Sequence, residues 1–361
     1  MRISFRLVAV ALSAALLAAC GGNYLSLLRP ILDGDTNASR SSSMARMTYT
    51  PAKRSDLFVT NGGNNTVTVY APGSGSVLRT ISQGLHGPSA LAFDTSGDLY
   101  VANYLSNTVT VYAQDSGTVL RTISQGLKVP SGLTLDKKGY LYVANENARR
   151  QYSEGTVTVY APGKTSVLRT IYMGVNEPGT LTIDASGSLY VANVGGYSPS
   201  TVSIYAPGSR SPKLTISAGV NFPRSLAIDT LGNLYVGNCG NECGTDSTVT
   251  VYAQGAKSPK LTISQGLYSP IGLAFDRVGN LYAANLGNNT VTVYAPGSTS
   301  VLRTISQGIM GPDGLAFGGR GNLYVSNLAN NTVTVYAPGS GMVLRTISDG
   351  VSQPNTLAFG R

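Results

Sequence analysis

A unit that recurs seven times, four short β-prone runs inside each unit, and two incomplete end units that complete one another predict an all-β chain. Together these observations specify a seven-bladed β-propeller of four-stranded blades, its ring closed by the C-terminal strand. The 361 residues are 42% apolar, enough to bury a core, and only 12% charged against a usual figure of about 25%. A single histidine excludes any site that needs two or three imidazoles.

The chain opens on Arg2 and Arg6 and then runs uncharged through residues 7–19. Such a stretch is too short to span a bilayer and has the length of the apolar core of a secretory signal. It ends Leu17-Ala18-Ala19-Cys20-Gly21, which resembles the lipobox of bacterial lipoproteins. The resemblance implies cleavage before Cys20 and acylation of its thiol. Gly21, where an Asp would retain the protein at the inner membrane, implies the outer membrane if the cell has one. Several acyl chains on one cysteine, at about 0.8 kcal/mol per buried CH₂, make such an anchor effectively irreversible. Residues 1–20 therefore read as a lipoprotein signal peptide. Residues 21–56, serine-rich and without a sustained period, read as a flexible tether.

The propeller domain is expected over 57–361. Its unit runs P-x-x-L-A-F-D-x-x-G-x-L-Y-V-A-N, a variable loop, T-V-T-V-Y-A-P-G, then V-L-R-T-I-S-x-G. Tyr70, Tyr112, Tyr160, Tyr205, Tyr252, Tyr294 and Tyr336 mark one position at spacings of 42, 48, 45, 47, 42 and 42 residues. In the second unit the four runs are 91–93, 99–102, 108–112 and 120–123. Asp94-Thr95-Ser96-Gly97 joins the first two as a tight hairpin, Asp bonding the turn backbone and Gly taking the positive φ. The third run alternates Thr with Val, which makes one face apolar by period two. Its other face carries Thr or Ser rather than Lys or Glu, so both faces are expected to be covered by neighbouring blades. A parallel β-helix would need a shorter rung.

Leu57-Phe58-Val59-Thr60-Asn61 is a second strand with no first before it, and Pro354-Asn355-Thr356-Leu357-Ala358-Phe359-Gly360 is a first strand with no second after it. A linear stack would orphan both halves. A ring joins them in one blade and removes the free edge.

The unit resembles the NHL repeat and, more distantly, the repeats of gluconolactonase-like propellers. That resemblance implies the fold and little about function, because such folds host unrelated activities. Many NHL repeats place Asp after the second strand. Here Asn61, Asn103, Asn145, Asn193, Asn238, Asn285 and Asn327 fill the position, and a residue identical in every unit reads as a turn-capping amide. Gluconolactonase-like enzymes hold a divalent metal with acidic and amide groups at the channel. With Asp313 the one carboxylate among the residues expected at the channel mouth, that ligand set is incomplete. NHL-type lyases that bind zinc through several histidines are excluded by composition, and a quinone-cofactor propeller is disfavoured because it is expected to stack on tryptophan. Neither a catalytic set, a metal nor a cofactor is predicted.

Positions shared by all blades serve the fold, so departures carry the functional reading. The loops between second and third strands are short in blades 1, 2, 6 and 7 and longer in blades 3, 4 and 5. These three insertions hold Arg149, Arg150 and Tyr152, then Tyr197, then Cys239-Gly240-Asn241-Glu242-Cys243. Three neighbouring insertions on one face build a wall beside the channel mouth, and loops of this kind often carry function. Cys239 and Cys243 read as a disulfide in an oxidising compartment rather than as a zinc site. The residue after each blade's proline varies as Ser89, Ser131, Gly179, Arg224, Ile271, Asp313 and Asn355, a scatter that suggests a binding surface at the channel mouth. His86 and Phe222 precede that proline in their own blades and complete the candidate face.

The net charge of +9 has a structural source, because Arg79, Arg121, Arg169, Lys213, Lys260, Arg303 and Arg345 fall in the outermost strands, where charge guards against edge pairing. A ring of isolated bases is not a nucleic-acid stripe, and no nucleic-acid partner is expected. The resulting expectation is a lipid-anchored extracytoplasmic module, held to the membrane by its N-terminal lipid. It takes a protein, glycan or small-molecule ligand on the loop face of blades 3–5. A lactonase or lyase acting on a small substrate is the alternative. Cys20→Ala should move the protein from the membrane to the soluble fraction on cell fractionation, and unchanged partition would refute acylation at this position.

Overall fold

The computed structural model describes residues 55–146, 155–195, 199–240 and 246–360. Cys20, Arg149, Arg150, Tyr152, Tyr197 and Cys243 lie outside the described residues. Among the described residues there are 28 strands and no helix, arranged in seven antiparallel four-stranded sheets. In blade 2 the order from the channel outward is Pro88–Phe93, Leu99–Asn103, Thr108–Tyr112 and Val119–Ile123. Blade 1 is composite: Pro354–Gly360 lies innermost, beside Asp56–Asn61, Thr66–Tyr70 and Arg79–Ile81. The ring closes as expected. Its seam pairs Phe58 with Ala358 and Val59 with Leu357, and Thr60 Oγ1 donates to the Thr356 carbonyl at 3.0 Å.

The core lies between blades rather than within them. Val59, Tyr70 and Leu357 of blade 1 pack against Val333, Val335 and Ile347 of blade 7, and each of the other interfaces repeats this arrangement. Both faces of the third strand are covered, since Val67 and Val69 are buried on one side and Thr68 on the other. The hydroxyl of the repeated tyrosine then ties one blade to the next. Tyr112 donates to the Gln83 carbonyl at 2.6 Å, Tyr252 to Ala218 at 2.6 Å, and Tyr70, across the seam, to Asp349 at 2.6 Å. Burial raises the pKa of these phenols, that of Tyr112 to about 12, which keeps them protonated and able to donate.

The Asp-x-x-Gly hairpins form as expected, with Asp94 Oδ1 accepting from the N–H groups of Ser96 and Asp98 at 2.9 and 3.0 Å. The bases of the outer strands do more than guard edges. Arg79, Arg121 and Arg169 lie 5.7, 5.6 and 5.7 Å from the ring centroids of Phe58, Tyr100 and Tyr142, stacked onto the second strand of their own blade. Lys213 and Lys260 stand just before their outer strands, Leu214–Ile216 and Leu261–Ile263, and donate to Ser188 and Asn233.

The seam is the weak point of a ring built this way. Deleting 354–360 strips the inner strand from blade 1 and with it the buried Leu357, whose burial contributes about 1.5–3 kcal/mol by itself. The truncated chain is expected to melt on the order of 10 °C lower or to lose cooperative melting altogether. A melting point within a degree or two of the full chain would rule out closure by this strand.

Candidate functional site

The loops after the second strands and the loops before the inner strands meet on one face. The residue following the repeated asparagine donates its N–H to the carbonyl preceding the proline: Tyr104 to Gly87 at 2.9 Å, Glu146 to Val129, Val194 to Glu177, and Cys239 to Phe222 at 3.0 Å. All seven pre-proline residues take a left-handed φ, from 45° at Glu177 to 62° at Gly87 and Gly311. Val129 at 51° and Phe222 at 48° pay for it in strain, being β-branched and bulky. The previous blade holds this backbone in place. The N–H of Val129 reaches Asn107 Oδ1 at 2.6 Å, that of Phe222 reaches Ser200 Oγ at 3.1 Å, and that of Gln353 reaches Asn331 Oδ1 at 2.7 Å. Beside Glu177 the corresponding residue is Gly155, where a Cβ would lie 2.1 Å from Pro178 Cδ.

The residue after each proline is the extra residue of a β-bulge, a device that re-aims a side chain. Here it mostly aims the side chain sideways. Ser89 Oγ donates to the Pro130 carbonyl at 3.1 Å, Ser131 Oγ to Pro178 at 2.8 Å, and Asn355 Nδ2 to Pro88 at 3.1 Å. The scatter at this position therefore does not make a binding face, as the sequence suggested. It is largely a set of ties between neighbouring inner strands. Asp313 in particular is not on the candidate face: it is 1% exposed, sealed at the inner ring.

Arg224 is the exception. In blade 5 the next residue, Ser225, supplies the tie through its own hydroxyl to the Pro270 carbonyl, which frees the bulge side chain. The guanidinium of Arg224 is partly buried and forms no hydrogen bond or ion pair among the described residues, yet Glu146 of blade 3 and Glu177 of blade 4 both act on it electrostatically. Burial lowers its pKa and the two carboxylates pull it back up. Glu146 feels the converse: burial pushes its pKa up to about 7, Arg224 opposes that shift and Glu177 adds to it. Tyr104 of blade 2 completes the group, its phenol raised by burial and by the nearby Glu146. One cation, two carboxylates and a tyrosine thus converge from four consecutive blades.

Of the other predicted residues, His86 is exposed and its backbone N–H donates to Asn103 Oδ1 at 3.1 Å. Phe222 is partly buried beside Arg224 in sequence. Cys239 is fully buried and disulfide-bonded, with Sγ 3.1 Å from Ser269 Oγ, while its expected partner Cys243 lies outside the described residues. Glu146, Glu177 and Tyr104 were missed as site residues. The signal for Glu146 was available, since it alone brings charge to a position that reads Gly62, Tyr104, Val194, Cys239, Leu286 and Leu328 elsewhere. No group of three potential metal ligands occurs among the described residues.

No family model matches the chain, and no curated protein matches it. Among solved structures it is similar to hydrazine synthase from Kuenenia stuttgartiensis, with a TM-score of 0.68 and 20% identity over 82% of this chain and 99% of that one. It is also similar to a functionally unknown protein from Desulfotomaculum acetoxidans, with a TM-score of 0.67 and 13% identity over 84% of this chain and 98% of the other. At these identities the likeness is one of fold: this chain is a seven-bladed β-propeller.

Proposed function

We propose that this chain is a lipid-anchored, extracytoplasmic binding module of the bacterial envelope whose channel mouth, across blades 2–5, takes a ligand bearing a carboxylate or phosphate. The observation that carries this reading is Arg224. A guanidinium offers five N–H donors in a fixed fork, and among the described residues none of them meets an acceptor, which is costly in a partly desolvated site unless something arrives to accept them. A planar oxyanion matches that fork. Glu146, poised near neutrality, can donate a hydrogen bond to the same ligand when protonated. The export signal and lipobox support the address, and the long loops of blades 3–5 support the choice of face.

The poise of Glu146 near 7 also favours a second reading, an enzyme of lactonase or lyase type in which this residue moves a proton. The two readings separate experimentally. The full chain in detergent would be screened by thermal shift against gluconate, glucuronate, citrate and inorganic phosphate. A ligand at a hundredfold excess over its Kd should raise the melting point by several degrees. Arg224→Ala should abolish that shift while leaving the unliganded melting point within about 2 °C, because it deletes no hydrogen bond among the described residues. Stabilisation that survives Arg224→Ala sinks the binding reading. Turnover of a sugar lactone that disappears in Glu146→Gln would establish the enzyme instead.

A further inference from the structure

At the inner ring, Asp313 stands where blades 1, 2 and 3 use Asn355, Ser89 and Ser131 to donate to the proline carbonyl of the next blade. It is buried, and neither carboxyl oxygen has a hydrogen-bond partner among the described residues. An ionised carboxylate so placed would face low dielectric with nothing to compensate it. The sevenfold pattern puts the Pro354 carbonyl opposite it, an acceptor that a carboxylate cannot serve and a carboxylic acid can. Blade 7 departs from blades 2–6 at one more place nearby. Ser326 replaces the usual Ala or Gly, accepts from the Gly314 N–H at 2.7 Å and donates to the Asn355 carbonyl at 2.6 Å, so this junction is already joined by hydroxyl donation.

We propose that Asp313 carries a proton in the folded propeller and, as a carboxylic acid, donates the tie from blade 7 to blade 1, making closure of the ring sensitive to pH. No charge faces it. The strands packed against Pro312–Phe317 are Pro270–Phe275, Pro354–Gly360, Leu281–Asn285 and Leu323–Asn327, whose only titratable side chains are Tyr282 and Tyr324. Both phenols answer to other partners, Tyr282 to Asp276 and Arg303, Tyr324 to Arg345 and Arg320. Burial alone accordingly pushes the carboxyl up to about 7, against roughly 3.9 in an unfolded chain. A folded pKa above the unfolded one gives stability that is complete below about pH 4, declines as pH rises, and is lost above about pH 7. The junction of blades 7 and 1, which seats the closing strand, is thus firmer in acidic than in neutral or alkaline surroundings.

The test compares the full chain in detergent with Asp313→Asn, which keeps the shape and a donor but cannot ionise, and with Asp313→Ser, which installs the residue of blades 2 and 3. Glu146 and His86 are common to all three proteins, so the difference between them isolates Asp313. The wild type should lose melting temperature relative to both variants between pH 5 and pH 8, a range chosen to bracket its pKa of about 7. Asp313→Asn should melt higher than the wild type at the alkaline end. Infrared difference spectra at the acidic end should contain a protonated carboxylic C=O band, shifted in D₂O and missing from Asp313→Asn. Parallel melting curves of wild type and both variants across this range would overturn the proposal. So would a sodium- or potassium-dependent stabilisation lost in Asp313→Asn without any protonated C=O band, since a cation would then occupy the role given to the proton.

Discussion

One buried carboxamide per blade holds the rest of this structure in register. Asn103 accepts the His86 N–H at its Oδ1 and donates through Nδ2 to the hydroxyls of Thr108 and Thr110, at 3.2 and 3.0 Å. The same set recurs at Asn145, Asn238, Asn285 and Asn327. The group must accept from a backbone amide and donate to side-chain oxygens at once, and of an ionised carboxylate and the corresponding amide only the amide does both. This is why Asn stands at this position in every blade. Because the amide grips the loop that delivers the inner strand of its own blade, it fixes where the pre-proline residue and the bulge fall, and so where every channel side chain begins.

The ring is sevenfold in backbone but not in its inner ties. Gly179 has no side chain to offer blade 5, and Ile271 has no donor to offer blade 7. The two charged bulge residues, Arg224 and Asp313, belong to the blades immediately after these gaps. They have opposite fates. Arg224, relieved by Ser225, keeps contact with solvent and feels the charge of two carboxylates, whereas Asp313 is closed in among apolar and neutral strands. A repeat protein acquires chemistry by such local substitutions because each blade is stabilised mainly by its neighbours and tolerates a missing tie.

Much of this was legible in the sequence, and the remainder was hidden for definite reasons. The blade count, the strand order and the composite first blade follow from the period and from the complementary halves at 57–61 and 354–360. The roles of the repeated Asn and Tyr could be judged structural from their identity in every unit, although their partners, which belong to loops distant in sequence, could not be read. What failed was the interpretation of variation. Ser89, Ser131 and Asn355 differ from one another yet do one job, because any small donor satisfies the same carbonyl. Variation there largely reflected tolerance of the tie, so Arg224, although named with the others, could not be told from the residues that only make it. Glu177 was hidden by the left-handed backbone before Pro178, a conformation that does not announce itself in a Glu-Pro dipeptide.

The composite blade also decides which way the mouth looks. Asp56, where the chain joins the propeller, pairs with Gly360 at the end of blade 1 remote from Asn61, hence on the face opposite Arg224. A tether of some three dozen residues hung from that side would act like a stalk beneath a cup. With the proposed lipid at its foot, such a stalk would reach the membrane from the face opposite the mouth and leave the mouth open to whatever diffuses past. Ligand capture would then need no clearance between propeller and bilayer, and the stalk could shorten or lengthen without disturbing recognition.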